Sequence, residues 1–279
     1  MSNQSTLITN VPVNPEIKED SKYIRPAQSA NVLFKFMAQL DYLKQIIEKK
    51  AILPRYNEEI IDYLEIGFLN KIAIPMSCFC DIHLNKLKPH MKEYGTYGIG
   101  LNKKWGIEQG IQPVHYINKK SHLRNDFSSI FLDVFKMSEK ERTIYKNYNN
   151  YLLMNLLYMK PVDGKMNKNG VDKDCNFHDE KEWRFIPNFK DISTDLPEVI
   201  IEKEQMHPKS YNTYSNGILK RPELWLNIDL KEIKYLIVET VQDRKELIKF
   251  INEQEDLEVE DRYMLISKIL VVHELMEDW

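Results

Sequence analysis

The run KIAIPMSCFCDI, Lys71–Ile82, decides how the rest of the chain is read. Apolar residues alternate with small ones across it instead of recurring every three or four positions, which is the pattern of a strand. Downstream, HLNKLKPHMKEYG (His83–Gly95) reads as a short helix ending at its glycine, and TYGIGLNKKWG (Thr96–Gly106) as a strand with two glycines inside it. Upstream, NEEIIDYLEIGF (Asn57–Phe68) reads as a helix, with Asn57 as N-cap and two glutamates in the first turn, where the helix dipole favours them. Before it, NVLFKFM (Asn31–Met37) is a strand with Phe34 and Phe36 on one face. AQLDYLKQIIEKK (Ala38–Lys50) follows as a helix with Leu40, Leu43, Ile46 and Ile47 at helical spacing, stopping ahead of Pro54.

Toward the C-terminus, PVHYI (Pro113–Ile117) reads as a core strand and Ser128–Tyr158 as helical, while the Gly-, Asn- and Asp-rich stretch Pro161–Asp179 reads as a surface loop. EKEWRFIPNF (Glu180–Phe189) returns as a strand. After a Pro-, Ser- and Asn-rich passage, Trp225–Val241, Asp243–Asp256 and Ser267–Met276 read as strand, helix, strand. No internal repeat is found, and strands and helices mix without the regular alternation of a doubly wound sheet. The expected class is therefore α+β: a mixed, mainly antiparallel central sheet flanked by helices. Residues 1–30, with Pro12, Pro15 and Pro26 among polar residues, are expected to form a flexible arm. Residues 31–279 are expected to form one α+β domain with a helical insertion near 125–160.

An aromatic content of 11% is too rich for a disordered chain, and 279 residues suffice to bury a core. The net charge of -3, with both signs interspersed, gives no uniform field for nucleic acid or an anionic membrane. Nucleic-acid contact would have to be local, at pairs such as Lys86 and Lys88, Lys103 and Lys104, or Lys119 and Lys120. Neither a secretory leader nor a membrane-length apolar run is seen, and three cysteines make no disulfide framework, so a cytoplasmic protein is expected.

Two clusters carry candidate chemistry. The first gathers Ser77, Cys78, Cys80, His90, Tyr94, Tyr97 and Trp105, with Phe36 from the opening strand, as residues able to line a pocket for a planar ligand. The plainer alternative is that the aromatics are core and rim residues of an ordinary sheet. Cys78 and Cys80 with His83 and His90 have zinc-ligand chemistry, but one residue between the thiolates is too few for the usual knuckle, and no metal is expected. The second cluster is Asp179–Arg184. If the strand runs through it, Glu180, Glu182 and Arg184 share a face, with Lys181 and Trp183 on the other. Such carboxylates can orient a substrate and stabilise developing positive charge, with Arg184 available to neutralise them. An internal ion-pair network is the alternative. No nucleophile elbow, phosphate loop or dinucleotide fingerprint is present.

The run Ile74–Tyr116, together with FHDEKEWRFIP (Phe177–Pro187), YLIVE (Tyr235–Glu239) and LISKIL (Leu265–Leu270), resembles the AbiGi abortive-infection family of bacteria over roughly residues 31 to 275. That resemblance implies protection against phage, as an antitoxin paired with a nucleotidyltransferase-like toxin, and hence a protein partner. More weakly, the layout is similar to ADP-ribosyltransferase-type folds, which carry a catalytic glutamate on a late strand. This second likeness implies Glu182 as the catalytic carboxylate, Glu180 and Arg184 beside it, and NAD as the possible cofactor. The opening strand here reads Phe34-Lys35-Phe36 where those enzymes offer His or Arg. Two functions are therefore expected: a regulator that binds a partner toxin, or a transferase or glycohydrolase acting on NAD or a nucleotide, its pocket shaped by His90, Tyr94 and Tyr97.

Overall fold

A computed structural model describes residues 29–67, 69–168 and 171–277. The arm expected over residues 1–30 lies outside the described residues, apart from Ser29 and Ala30. Along β1 (Val32–Met37), Leu33 and Met37 join one buried cluster while Phe34 and Phe36 pack into another. A strand apolar on both faces belongs in the interior of a covered sheet. α1 (Leu40–Lys49) buries the expected stripe of Leu40, Leu43, Ile46 and Ile47, and ends at a left-handed Lys50. β2 (Ala51–Ile52) and β3 (Arg55–Ile60) lead to the long β4 (Lys71–Cys80), which is followed by α2 (Lys88–Tyr94) and β5 (Tyr97–Asn102).

The middle of the chain is built of short pieces: α3 (Lys103–Glu108), β6 (Gln112–Pro113) and β7 (His115–Ile117). The helices α4 (His122–Lys136), α5 (Glu139–Ile144) and α6 (Lys146–Leu157) come next. They are followed by β8 (Met159–Pro161), the hairpin of β9 (Asp163–Lys168) with β10 (Val171–Asn176), and β11 (Glu182–Phe185). The chain then runs through α7 (Pro208–Ile218), β12 (Leu226–Asn227), β13 (Ile233–Val238), α8 (Val241–Asn252), α9 (Val259–Ser267), β14 (Ile269–Val271) and α10 (Val272–Glu277).

The class is α+β. The main sheet has the order β14-β13-β5-β1-β4-β11-β6, with β3 also on β4. Its pairings are antiparallel except β13 with β14, which the helices α8 and α9 connect as a parallel crossover. Gly98 and Gly100 of β5 have a packing reason: a Cβ on either would come within 3 Å of the Phe36 and Phe34 rings lying across the strand. Gly95, at φ 113, has no room for a Cβ against the Met37 carbonyl.

Several expectations are corrected. Asn57–Phe68 is not a helix: Arg55–Ile60 pairs residue for residue with Lys71–Met76, and a short 3-10 turn at Asp62–Leu64 carries Tyr63 and Leu64 into the core. Sheet pairing overrides the local helical pattern there. Pro161–Asp179 holds a hairpin, not a loop, its Asp163 end opposite Asn176. Pro113–Ile117 is split between two sheets, because Pro113 pairs with Trp183 while His115 pairs with Met159. The strand expected to reach Gly106 stops at Asn102, whose side chain caps α3 by accepting from the Lys104 N–H. The Ser-rich passage contains α7, and Ser267–Met276 keeps a strand only over three residues before α10 begins.

Candidate functional site

β11 positions the acidic cluster, but it begins one turn later than the spacing suggests. Phe177–Glu180 is a 3-10 turn, and Lys181, at φ 45, turns the chain before the strand starts. Glu180 is therefore off the strand, while Glu182 and Arg184 share its inner face. Glu182 is 6% exposed and Arg184 1%. Arg184 Nε donates to Glu182 Oε1 at 2.6 Å, its Nη1 donates to the Leu157 carbonyl at 2.8 Å, and its Nη2 lies 3.0 Å from Glu59 Oε2. Lys160, from β8, donates to Glu182 at 2.6 Å and to Glu180 at 2.8 Å. Tyr94 donates to the other Glu180 oxygen, and Tyr116 accepts the Glu182 N–H at 2.7 Å.

Burial alone would push the Glu182 carboxyl up, but the Arg184 and Lys160 charges and their hydrogen bonds outweigh it and hold the group well below the usual carboxylate range. Burial likewise opposes charge on Lys160, and Glu182, Glu59 and Glu180 overcome it and hold the ammonium protonated. The network thus carries three carboxylates against two cations, all fixed by one another.

Above it lies a cleft of about 1330 Å³, lined by Phe36, Cys78, His90, Tyr94, Glu180 and Glu182, with Lys35, Glu59, Lys160 and the β9–β10 hairpin completing its walls. His90 stacks obliquely on Tyr94 with ring centres 4.4 Å apart, and Phe36 meets His90 edge-on at 5.7 Å. Burial lowers the His90 pKa to about 4, so the ring is neutral at pH 7. Burial raises both the Cys78 and Cys80 thiols, leaving them protonated.

Of the residues singled out in the sequence, Phe36, Cys78, His90, Tyr94, Glu180 and Glu182 meet in this cleft, and Arg184 lies beneath it. Ser77 and Cys80 are buried away from it, Cys80 packing with Phe34, Leu87 and Met91. Tyr97 and Trp105 pack against the cluster on the opposite face of the sheet, with Leu33 and Ile99. The Tyr97 strand and the acidic strand are not neighbours, because β1 and β4 lie between them. Lys160, Glu59 and Lys35 were not foreseen: each comes from a different element, and a single lysine in a mixed-charge chain carries no local signal. Among the lysines considered for nucleic acid, Lys103 pairs with Asp81 and Lys119 lies 3.9 Å from Asp163.

Fold and site together define an α+β protein with an aromatic cleft over a buried ion-pair network, and no described helix is long and apolar enough to cross a membrane. The chain matches, over residues 42–239, the family model described as "abortive phage resistance protein AbiGi, antitoxin". It is also similar to the abortive phage resistance protein AbiGi of Lactococcus lactis subsp. cremoris, 36% identical over 252 residues, covering 82% of this chain and 100% of that protein. The chain belongs to the AbiGi family of abortive phage resistance proteins. No solved structure matches it.

Proposed function

We propose that this chain serves anti-phage defence as an antitoxin, binding a protein toxin through the helical stretch α4–α6. The observation that carries the reading is the surface of that stretch. Leu123, Ile130, Ile144, Tyr145, Tyr151 and Met154 all stand exposed there, Ile144 and Tyr151 to 67% and 64%. Scattered single apolar residues on a surface need no explanation, but a run of them rich in tyrosine is the composition of a protein interface. The family description supplies the kind of partner.

The test is co-expression with the toxin in a bacterial host. The wild-type chain is expected to restore growth and to co-purify with the toxin. The double substitution Ile144→Asp with Tyr151→Asp should abolish both while leaving the melting temperature unchanged. Full protection by the double variant would refute this surface.

A second reading, a transferase acting on NAD or a nucleotide with Glu182 as the catalytic carboxylate, draws support from the shared cleft of Glu180, Glu182, His90 and Tyr94. Against it, each Glu182 oxygen already accepts a charge-assisted hydrogen bond, Oε1 from Arg184 and Oε2 from Lys160, so two cations neutralise the carboxylate before any substrate arrives. Toxicity of the chain expressed alone, with loss of cellular NAD that Glu182→Gln prevents, would favour this reading over the first.

A further inference from the structure

β1 and β3 share one edge of β4 without meeting. Phe34 pairs with Cys80, where the β1 pairing ends, and β3 takes the edge from Met76 back to Lys71. Backbone alternation fixes which groups face the gap. Ala73 exchanges both its bonds with Ile200, and Asp81 donates to Lys181 on the β11 side, so the odd-numbered residues of β4 point that way. The even-numbered Cys78 therefore directs its N–H and C=O into the fork, where no described strand pairs with it. On β1, Asn31 accepts from Lys103 on the β5 side. By the same alternation Phe36 turns its own N–H and C=O into the fork from the other wall.

Lys35 lies in this fork and lines the cleft. Its ammonium sits 5.9 Å from the centre of the Phe79 ring, and no described residue forms an ion pair or hydrogen bond with it. In the same cleft Lys160 is partnered by Glu180 and Glu182, and Lys119 by Asp163. Burial lowers the Lys35 pKa, and the neighbouring Cys78 thiol, itself raised by burial, offers no counter-charge. A half-buried cation without an acidic partner and an N–H outside either strand register face the same gap, and an anion would supply an acceptor to each. Beside them, Phe36, His90 and Tyr94 form a continuous run of rings.

We propose that the fork between β1 and β4 is a binding site for a small anion carried on a planar ring. The ring lies against Phe36, His90 and Tyr94 on one face of the sheet, and its carboxylate or phosphate enters the fork to meet the Cys78 N–H and the ammonium of Lys35, whose odd position on β1 sends it to the Phe79 side. This site is separate from the helical surface assigned to the partner, and its test uses the chain alone.

Calorimetric titration of the full chain with 1-naphthyl phosphate and 1-naphthoate compares the two anion types on one ring, with 1-naphthol and inorganic phosphate as the ring-only and anion-only controls. At least one naphthyl anion is expected to bind at least tenfold more tightly than either control. Lys35→Met should weaken that binding at least tenfold, leave 1-naphthol unchanged and not lower the melting temperature, and Lys35→Arg should restore most of the affinity. Should Lys35→Met not fold, Lys35→Gln takes its place. Absence of binding by both naphthyl anions to the folded wild-type chain, or equal binding by the folded charge-removed variant, would overturn the proposal.

Discussion

The network around Glu182 and the helices α4–α6 invert the usual distribution of polarity. In the first, five charged side chains, Glu182 and Arg184 buried and the other three part-buried at the cleft, pair with one another; in the second, large apolar side chains stand in water. A buried ion pair is weak support for stability, because desolvation consumes most of the attraction, yet removing one partner is costly since the other remains charged and buried. An exposed apolar face contributes nothing to the isolated fold and becomes useful when something covers it. The inside of this molecule is thus sensitive to single charge changes, and its helical exterior is tolerant of them.

The largest effect that could break this contrast is at Glu182. Glu182→Ala should destabilise the fold by about 3–5 kcal/mol, since Arg184 and Lys160 would lose their shared carboxylate. Urea unfolding measures it, and a loss under 1 kcal/mol would mean that the network is solvated rather than buried. Next, Gly98→Ala would force the Phe36 ring away and should cost about 1–3 kcal/mol. The same unfolding curves, read with near-ultraviolet circular dichroism for ring packing, check it.

A smaller effect is expected from pH. The folded His90 pKa, about 4, lies below the unfolded 6.5, so the unfolded chain binds the proton first. The His90 contribution is complete above pH 6.5 and is lost as pH falls toward 4. Glu182, depressed by its cations, adds its own loss only at the acidic end. Melting temperatures from pH 7 to pH 5 should fall, and His90→Gln should flatten that slope; an unchanged slope would place the titrating group elsewhere. Smallest of all, Ile144→Asp alone should shift stability by no more than about 0.5 kcal/mol. A larger loss would show that this helix face is core rather than surface.

Legibility in the sequence followed the same division. Strands buried on both faces announced themselves: β1, β4 and β13 are short apolar runs, and α1 shows its stripe at helical spacing. β3 did not, because Asn57, Glu58 and Glu59 look like a helix start until β4 pairs with them. The β9–β10 hairpin was hidden by polar residues that carry no alternation of apolar positions. For the site, Glu182 and Arg184 were visible as a same-face pair. Their partners were not, since Lys160 arrives from β8 and Glu59 from β3, and only tertiary folding brings them together.

The margins of the main sheet have a consequence for how this protein can associate. One margin is β6, two residues long, in which Pro113 has no N–H to lend. The other is β14, three residues that pass directly into α10. Neither offers the long ladder of open peptide groups on which a foreign strand templates itself, and on the longer outer side of β3 the Tyr56 N–H is taken by Ser215 Oγ of α7. A chain with exposed apolar side chains on α4–α6 has thus blunted its strand-mediated route to fibrous aggregation.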